Sequence, residues 1–368
     1  MPSPEKKELV KALLKVSRFV IYITLISLAC MVIIIVILLS DGKTGAPAQT
    51  AVDSKPVSIG DTHASSPNSA KSAPAIIWTA PDTATIPAGR AGEMIRYGRD
   101  LIAHTGNYFG PQGSIAHISN GMNCQNCHLE GGSRLFGNNF ASFIASYPKM
   151  SNRSGKIEPA TGRFVECFKR SLGGTSPDTS KKETRAMLAY MKWIGLGIKK
   201  GQTLYGNATE KLPFLNNAAD AAKGKLVFIS KCKSCHGVNG EGLLAADKKS
   251  YTYPPLWGQH SYNDGAGMYR IGNLAGFVKN NMPFGATYKK PQLTNEEAWN
   301  VAAFINSQPR LHKDQHNDWP DLTKKPIDFP FGPYADNFSE KQHKLGPFKP
   351  IAAYQKGHTI KKSKTDVL

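Results

Sequence analysis

The chain has 368 residues, 40% of them apolar, with 46 Lys and Arg against 27 Asp and Glu, for a formal charge of +19. This length supports two domains with real cores, and the apolar fraction excludes a wholly disordered chain. The first 40 residues carry five basic and two acidic side chains, so +16 falls on the remainder. A field of that sign favours small anions, an acidic redox partner or anionic lipid, or serves solubility alone.

The run Phe19 to Leu39, FVIYITLISLACMVIIIVILL, holds 21 residues without a charge, the length of a membrane-crossing helix. Lys6, Lys7, Lys11, Lys15 and Arg18 precede it against only Glu5 and Glu8. The positive-inside rule therefore predicts a cytoplasmic N-terminus, residues 1–40 as N-terminus plus anchor, and a periplasmic body held to the inner membrane by a single pass. Export of the body argues against nucleic acid as a partner. Ala46-Pro47-Ala48 has the form of a cleavage site but lies far from the end of an apolar run too long for a usual signal peptide, so a retained anchor is the expectation. Cys30, inside the run, reads as apolar filler. Residues 41–75 are Ala, Ser, Pro, Thr and Gly with few bulky side chains, too little to bury, and are expected to form a disordered tether.

Two blocks of similar plan follow, over 76–210 and 211–310. Each has an amphipathic helix, a C-x-x-C-H unit, a long loop region rich in Gly and Pro, and a second amphipathic helix. In the first block the helical period predicts helices over 88–104 and 181–194, the latter begun by Ser180 with Glu183 three residues on. In the second it predicts helices over 218–230 and 295–307, the latter capped by Thr294 with Glu297 in the capping-box position. Residues 311–368 are rich in proline and aromatic side chains without a clear period, and are expected to lie on both domains in extended form, with only the end, KKSKTDVL, free. The fold class expected is mainly α: two tandem class I cytochrome c-type domains, a long irregular C-terminal extension and an N-terminal transmembrane helix.

Cys124-Gln125-Asn126-Cys127-His128 and Cys232-Lys233-Ser234-Cys235-His236 each match the c-type haem attachment pattern. Sulfurs three residues apart on one helical turn reach the two vinyl groups of a porphyrin, and the following histidine is aimed at iron. A zinc ribbon places its second C-x-x-C about 15 to 20 residues after the first, far closer than these two. The reading is two covalently attached haem c groups with His128 and His236 as proximal ligands.

For the sixth ligand of the second iron, Met282 in VKNNMPFG is the leading candidate, against His260 and Lys279. Between His128 and the closing helix of the first block there is no histidine, which leaves Met150, Cys167 and several lysines. Cys167, in GRFVECFKRSL, has Arg163, Lys169 and Arg170 around it. A thiolate there would be favoured by those charges and by ferric iron, although a plain buried thiol needs no role.

The stretches MNCQNCHLEGG, ASYPKMSNRSG, GRFVECFKRSLGG, CKSCHGVNGEG, MPFG and KKPIDFPFGPYADNFSEKQHKLGPF resemble a dihaem thiosulfate dehydrogenase of the cytochrome c type over roughly residues 85 to 350. The resemblance implies that the enzyme couples two thiosulfates to tetrathionate, or runs the reverse. His128 and Cys167 would hold the first, catalytic iron; His236 and Met282 would hold the second, a relay to an acceptor cytochrome or terminal oxidase. It further implies Arg153 and Arg163 as anion-binding residues, with Ser171 and Arg170 close behind. A position that is lysine in some members is Asn281 here. The membrane helix departs from the soluble members. Binding of the arginines to haem propionates is the alternative for those residues. The competing functions are a membrane-anchored dihaem electron carrier without its own catalysis, and a dihaem peroxidase.

Overall fold

The computed structural model describes residues 76–365 throughout and, ahead of them, scattered helical positions between Lys11 and Met31. The tether and Cys30 lie outside the described residues, as does much of the expected membrane helix. Among the described residues no helix is long and apolar enough to cross a membrane. The chain divides into Met1–Lys71 and Ser72–Leu368, and the second unit holds both C-x-x-C-H motifs.

This unit is mostly helical: α1 Gly89–Ala103, α2 Ala160–Arg170, α3 Lys182–Ile194, α4 Ala221–Lys231, α5 Ile271–Asn281, α6 Asn295–Ser307, α7 Glu340–Leu345 and α8 Phe348–Thr365. Strands are short. The hairpin β1 Lys149–Ser151 and β2 Lys156–Glu158 pairs Met150 with Ile157.

The two blocks cross their paired helices in the same way. In α1, Ile95, Gly98, Leu101 and Ile102 form one buried stripe, and at Gly98 an added Cβ would lie 1.9 Å from the carbonyl oxygen of Ala186 in α3. In α4, a Cβ at Gly224 would lie 1.9 Å from the carbonyl oxygen of Asn300 in α6. Only glycine lets the backbones approach so closely. α6 starts as its sequence predicts: Thr294 Oγ1 accepts from the Glu297 N–H at 3.1 Å and Glu297 returns a carboxylate to the Thr294 N–H at 2.8 Å. The start of α3 differs from expectation. Lys181 is its N-cap without a side-chain bond, because the Ser180 hydroxyl donates to the nearer Asp178 carboxylate at 2.7 Å.

Buried apolar side chains form two clusters. One gathers Leu101, Met122, Phe164, Phe168, Met187 and Ile194 and also draws in Tyr262, Ala266 and Tyr269. The other gathers Phe228, Leu274, Val278, Trp299 and Ile305 with Phe348 and Ile351 from the far end of the chain. Met268 packs against both.

The C-terminal region corrects the expectation of an extended course. After residue 339 it forms α7 and α8, and α8 runs to Thr365. Phe348 and Ile351, 2% and 0% exposed, anchor its first turn in the second cluster. Further along, Tyr354 packs edge-on against Phe338, with ring centroids 5.9 Å apart.

Candidate haem centres and the Cys167 site

In each C-x-x-C-H unit the chain makes one tight turn. The Cys127 and His128 N–H groups both donate to the Cys124 carbonyl, at 3.2 and 2.9 Å, and Cys235 and His236 repeat this on Cys232 at 3.2 and 3.0 Å. The described cysteines are all partly buried, and none of them is in a disulfide. His128 Nδ1 donates to the Asn138 carbonyl at 2.5 Å and His236 Nδ1 to the Pro254 carbonyl at 2.8 Å. A backbone acceptor on Nδ1 fixes the tautomer and leaves the Nε2 lone pair for a metal. Burial pushes His128 down to about 4, with the Asn138 carbonyl opposing and Arg163 adding to the effect. Burial also lowers His236, against the Pro254 carbonyl. Both rings are therefore held neutral, the form that ligates iron.

A cavity of about 730 Å³ is lined by Cys232, Cys235, His236 and Met282, with Leu274, Phe277 and other apolar side chains as walls. It lies within the size range of cofactor sites, about 300 to 1,000 Å³, and its donor set of two thiols, imidazole and thioether suits a haem c. Met282 lines it, whereas Lys279 and His260 do not; the Lys279 ammonium donates to the Leu293 carbonyl at 2.5 Å. Cys127 and Asn126 of the first motif line the same cavity.

Cys167 lies in α2, whose buried Phe164 and Phe168 turn one face to the core. Its Sγ donates to the Arg163 carbonyl at 3.4 Å. Burial and then the charge of Cys167 push Cys127 up to about 11, and Cys167 is the largest influence raising Arg163. Cys167 is thus coupled electrostatically to Cys127 of the first attachment motif and to the Arg163 guanidinium. Met150, the rival candidate, is 61% exposed on the hairpin.

Arg153 occupies the turn between β1 and β2. Burial, then Arg170 and Arg163, push it down to about 10, with Asp318 opposing. Tyr147 is raised to about 12 by burial, while Arg163 and Arg153 pull the other way. Arg153, Arg163, Tyr147 and Cys167 are thus electrostatically coupled. Arg170 is different. Its Nε donates to Glu166 at 2.6 Å, its two terminal nitrogens to Asp318 at 2.8 and 2.9 Å, and Nη1 also to the Gly265 carbonyl at 3.3 Å. With its forks so committed it supports the site instead of presenting a free fork to an anion. Ser171 caps α2, and its N–H donates to the Cys167 carbonyl at 2.9 Å.

Sequence reasoning missed Tyr147, Glu166, Asp318 and Trp319. The Trp319 N–H donates to the Arg153 carbonyl at 2.7 Å, and the Arg153 guanidinium lies 5.7 Å from the indole ring. The α2 and α5 helices were also missed. Their signal was present in Phe164 and Phe168 at i, i+4, and in Ile271, Leu274, Ala275 and Val278 at i, i+3, i+4, i+7.

A helical unit with two C-x-x-C-H turns, imidazoles fixed through Nδ1 and a cavity of haem-binding character defines a c-type cytochrome, and residues 221–309 match the cytochrome c family. The chain is similar to the thiosulfate dehydrogenase of Stutzerimonas stutzeri (strain A1501), 36% identical over 62% of this chain and 72% of that protein. It is similar also to that of Allochromatium vinosum, 35% identical over 66% of this chain and 87% of that protein. Among solved structures it resembles the thiosulfate dehydrogenase TsdBA of Marichromatium purpuratum in its as-isolated form, with a TM-score of 0.59 and 30% identity over 68% of this chain. The match spans 52% of that longer chain. The chain belongs to the thiosulfate dehydrogenase family of cytochromes and is an enzyme.

Proposed function

We propose that this chain couples two thiosulfates to tetrathionate, or runs the reverse, with His128 and Cys167 holding one haem and His236 and Met282 a second. The two haems would lie in tandem cytochrome c-type domains, 76–210 and 211–310, with 311–368 as an extension and an inner-membrane anchor ahead of a periplasmic body. Haem c, when bound, accepts electrons singly; the second would relay them to an acceptor cytochrome or oxidase. The observation that supports this reading is the electrostatic coupling of Cys167 to Cys127 of the first C-x-x-C-H turn and to Arg163, with Arg153 acting on the same Tyr147.

Thiosulfate is a dianion, and two of them repel strongly. Arg153 and Arg163 supply fixed positive charge in forks that suit oxyanions. The Cys167 thiolate attacks the outer sulfur of the first thiosulfate; an S–S bond forms and two electrons leave, giving a cysteinyl thiosulfonate. The outer sulfur of the second thiosulfate then attacks that same sulfur. The bond to Cys167 breaks, tetrathionate departs and the thiolate is restored. Over both steps two thiosulfate dianions become one tetrathionate dianion plus two electrons. Arg153 and Arg163 offset the charge that gathers as the second anion arrives, which is where stabilisation accelerates the step.

The test is Cys167→Ala assayed with thiosulfate and ferricyanide. Turnover should vanish while both haems remain attached. Unchanged turnover would leave an electron carrier.

A further inference from the structure

The loop that carries Met282 is held from the first block. Arg134 Nη2 donates to the Ala286 carbonyl at 2.7 Å. Asn281, 3% exposed, donates through Nδ2 to the Phe136 carbonyl at 3.1 Å as well as to Phe277 in its own helix at 2.9 Å. The rings of Phe136 and Tyr288 close the same seam, with centroids 5.3 Å apart. On its other side this segment orients the first centre: the Asn138 carbonyl fixes His128, and Asn138 Nδ2 donates to the Cys127 carbonyl at 3.4 Å. The ten residues from Leu129 to Asn138 therefore support the proximal histidine of one centre and the methionine loop of the other.

Within the loop the Thr287–Lys290 pairing and the bond from Gln292 Nε2 to the Phe284 carbonyl, at 3.4 Å, are local, whereas the bond from Arg134 ties Ala286, which is fully buried, to the first block. Met282 ends α5, with its N–H on the Val278 carbonyl at 3.0 Å, and Phe284, two residues on, is 85% exposed. The ion pair of Arg134 with the exposed Glu130, at 3.6 Å, adds little. The hydrogen bond from a charged, partly buried guanidinium to Ala286 is the stronger tie.

We infer that Arg134 is a positioning residue for the sixth ligand of the second haem: its bond to Ala286 keeps the Met282 thioether over the cavity and ties the relay centre to the chain that fixes His128. This rests on the reading of Met282 as an iron ligand. A neutral thioether is easily displaced, and any loss in the fraction of molecules with the methionine in place appears as tighter binding of a competing ligand.

The test uses full-length oxidised protein carrying its haems, with two readouts: the far-red sulfur-to-iron charge-transfer band and titration with imidazole. Arg134→Ala should weaken the band and tighten imidazole binding about tenfold, the equivalent of one lost charge-assisted hydrogen bond. Arg134→Lys, which keeps a donor on a long stem, should restore part of both. The spin-resonance signal of the thiolate-ligated first haem should stay unchanged in each. Arg134→Gln, too short to reach Ala286 but still polar, serves if the alanine variant does not accumulate, with the alanine result expected. A band and an imidazole affinity unchanged from wild type in a folded Ala or Gln variant would overturn the inference. Simultaneous disturbance of both haem signals would also overturn it, as loss of fold. Absence of the band from wild type would instead remove Met282 as ligand, and the inference with it.

Discussion

Asp318 accepts two parallel hydrogen bonds from the Arg170 guanidinium, at 2.8 and 2.9 Å, and its Oδ2 also lies 3.9 Å from Arg153 Nε. One carboxylate from the far end of the chain thus locks α2, which bears Cys167, and steadies an arginine of the proposed substrate space. The pair is nearly buried, with side chains 7% and 11% exposed. Asp318→Asn leaves a buried guanidinium short of countercharge and should cost about 3 kcal/mol, and Arg170→Met with Asp318→Leu should also destabilise, because Glu166 and Arg153 then each lose a partner. Denaturant unfolding of the haem-loaded protein measures both.

Arg163 and Arg153 carry the charge expected to hold thiosulfate. Arg163→Ala should lower kcat/KM for thiosulfate by about two orders of magnitude, and Arg163→Lys should keep part of the loss from appearing, since a point charge replaces a fork. Steady-state kinetics with ferricyanide in excess decide it. An unaffected kcat/KM in the alanine variant assigns the residue to the haem propionates.

On the proposed ligation, Met282→His should lower the potential of the second haem and leave the first in place, because a thioether opposite histidine favours the reduced iron more than a second imidazole does. Redox titration followed at both haem signals reads the shift. A potential equal to that of wild type would mean that the methionine is core filler.

The box at the start of α6 predicts a pH dependence outside the haem centres. The Thr294 N–H, followed by Lys231, holds the Glu297 carboxyl below its ordinary 4.5. A depressed folded-state value stabilises above 4.5, and this contribution is lost as pH falls through the lower, folded value. Glu297→Gln should therefore narrow the difference in unfolding free energy between pH 7 and the acid side of that window. Thr294→Ala should cost about 1 kcal/mol at neutral pH.

Legibility in the sequence followed the range of the interactions involved. The C-x-x-C-H turns and the Thr294–Glu297 box are local, and the structure forms both as the residues alone predict. Helices α1, α3, α4 and α6 were legible from their period, although Ser180 bonds to Asp178 instead of capping α3. α2 and α5 were lost inside regions read as loops, since the glycines and prolines around them mask their short apolar stripes. The partners of Arg170 and Arg153 were out of reach, because Asp318 and Trp319 come from a segment with no period, some 150 residues on in the case of Arg170, and only tertiary packing brings them together. Likewise, nothing local marks Asn138 or Pro254 as the carbonyls that aim the two imidazoles.

Trp319 and Asp318 meet α2 and the β1–β2 turn only after nearly the whole polypeptide has been made. A nascent or truncated chain would thus present Cys167 without the carboxylate that organises the neighbouring guanidiniums, and that arrangement would arrive late in maturation, once Asp318 and Trp319 pack onto residues 153–170.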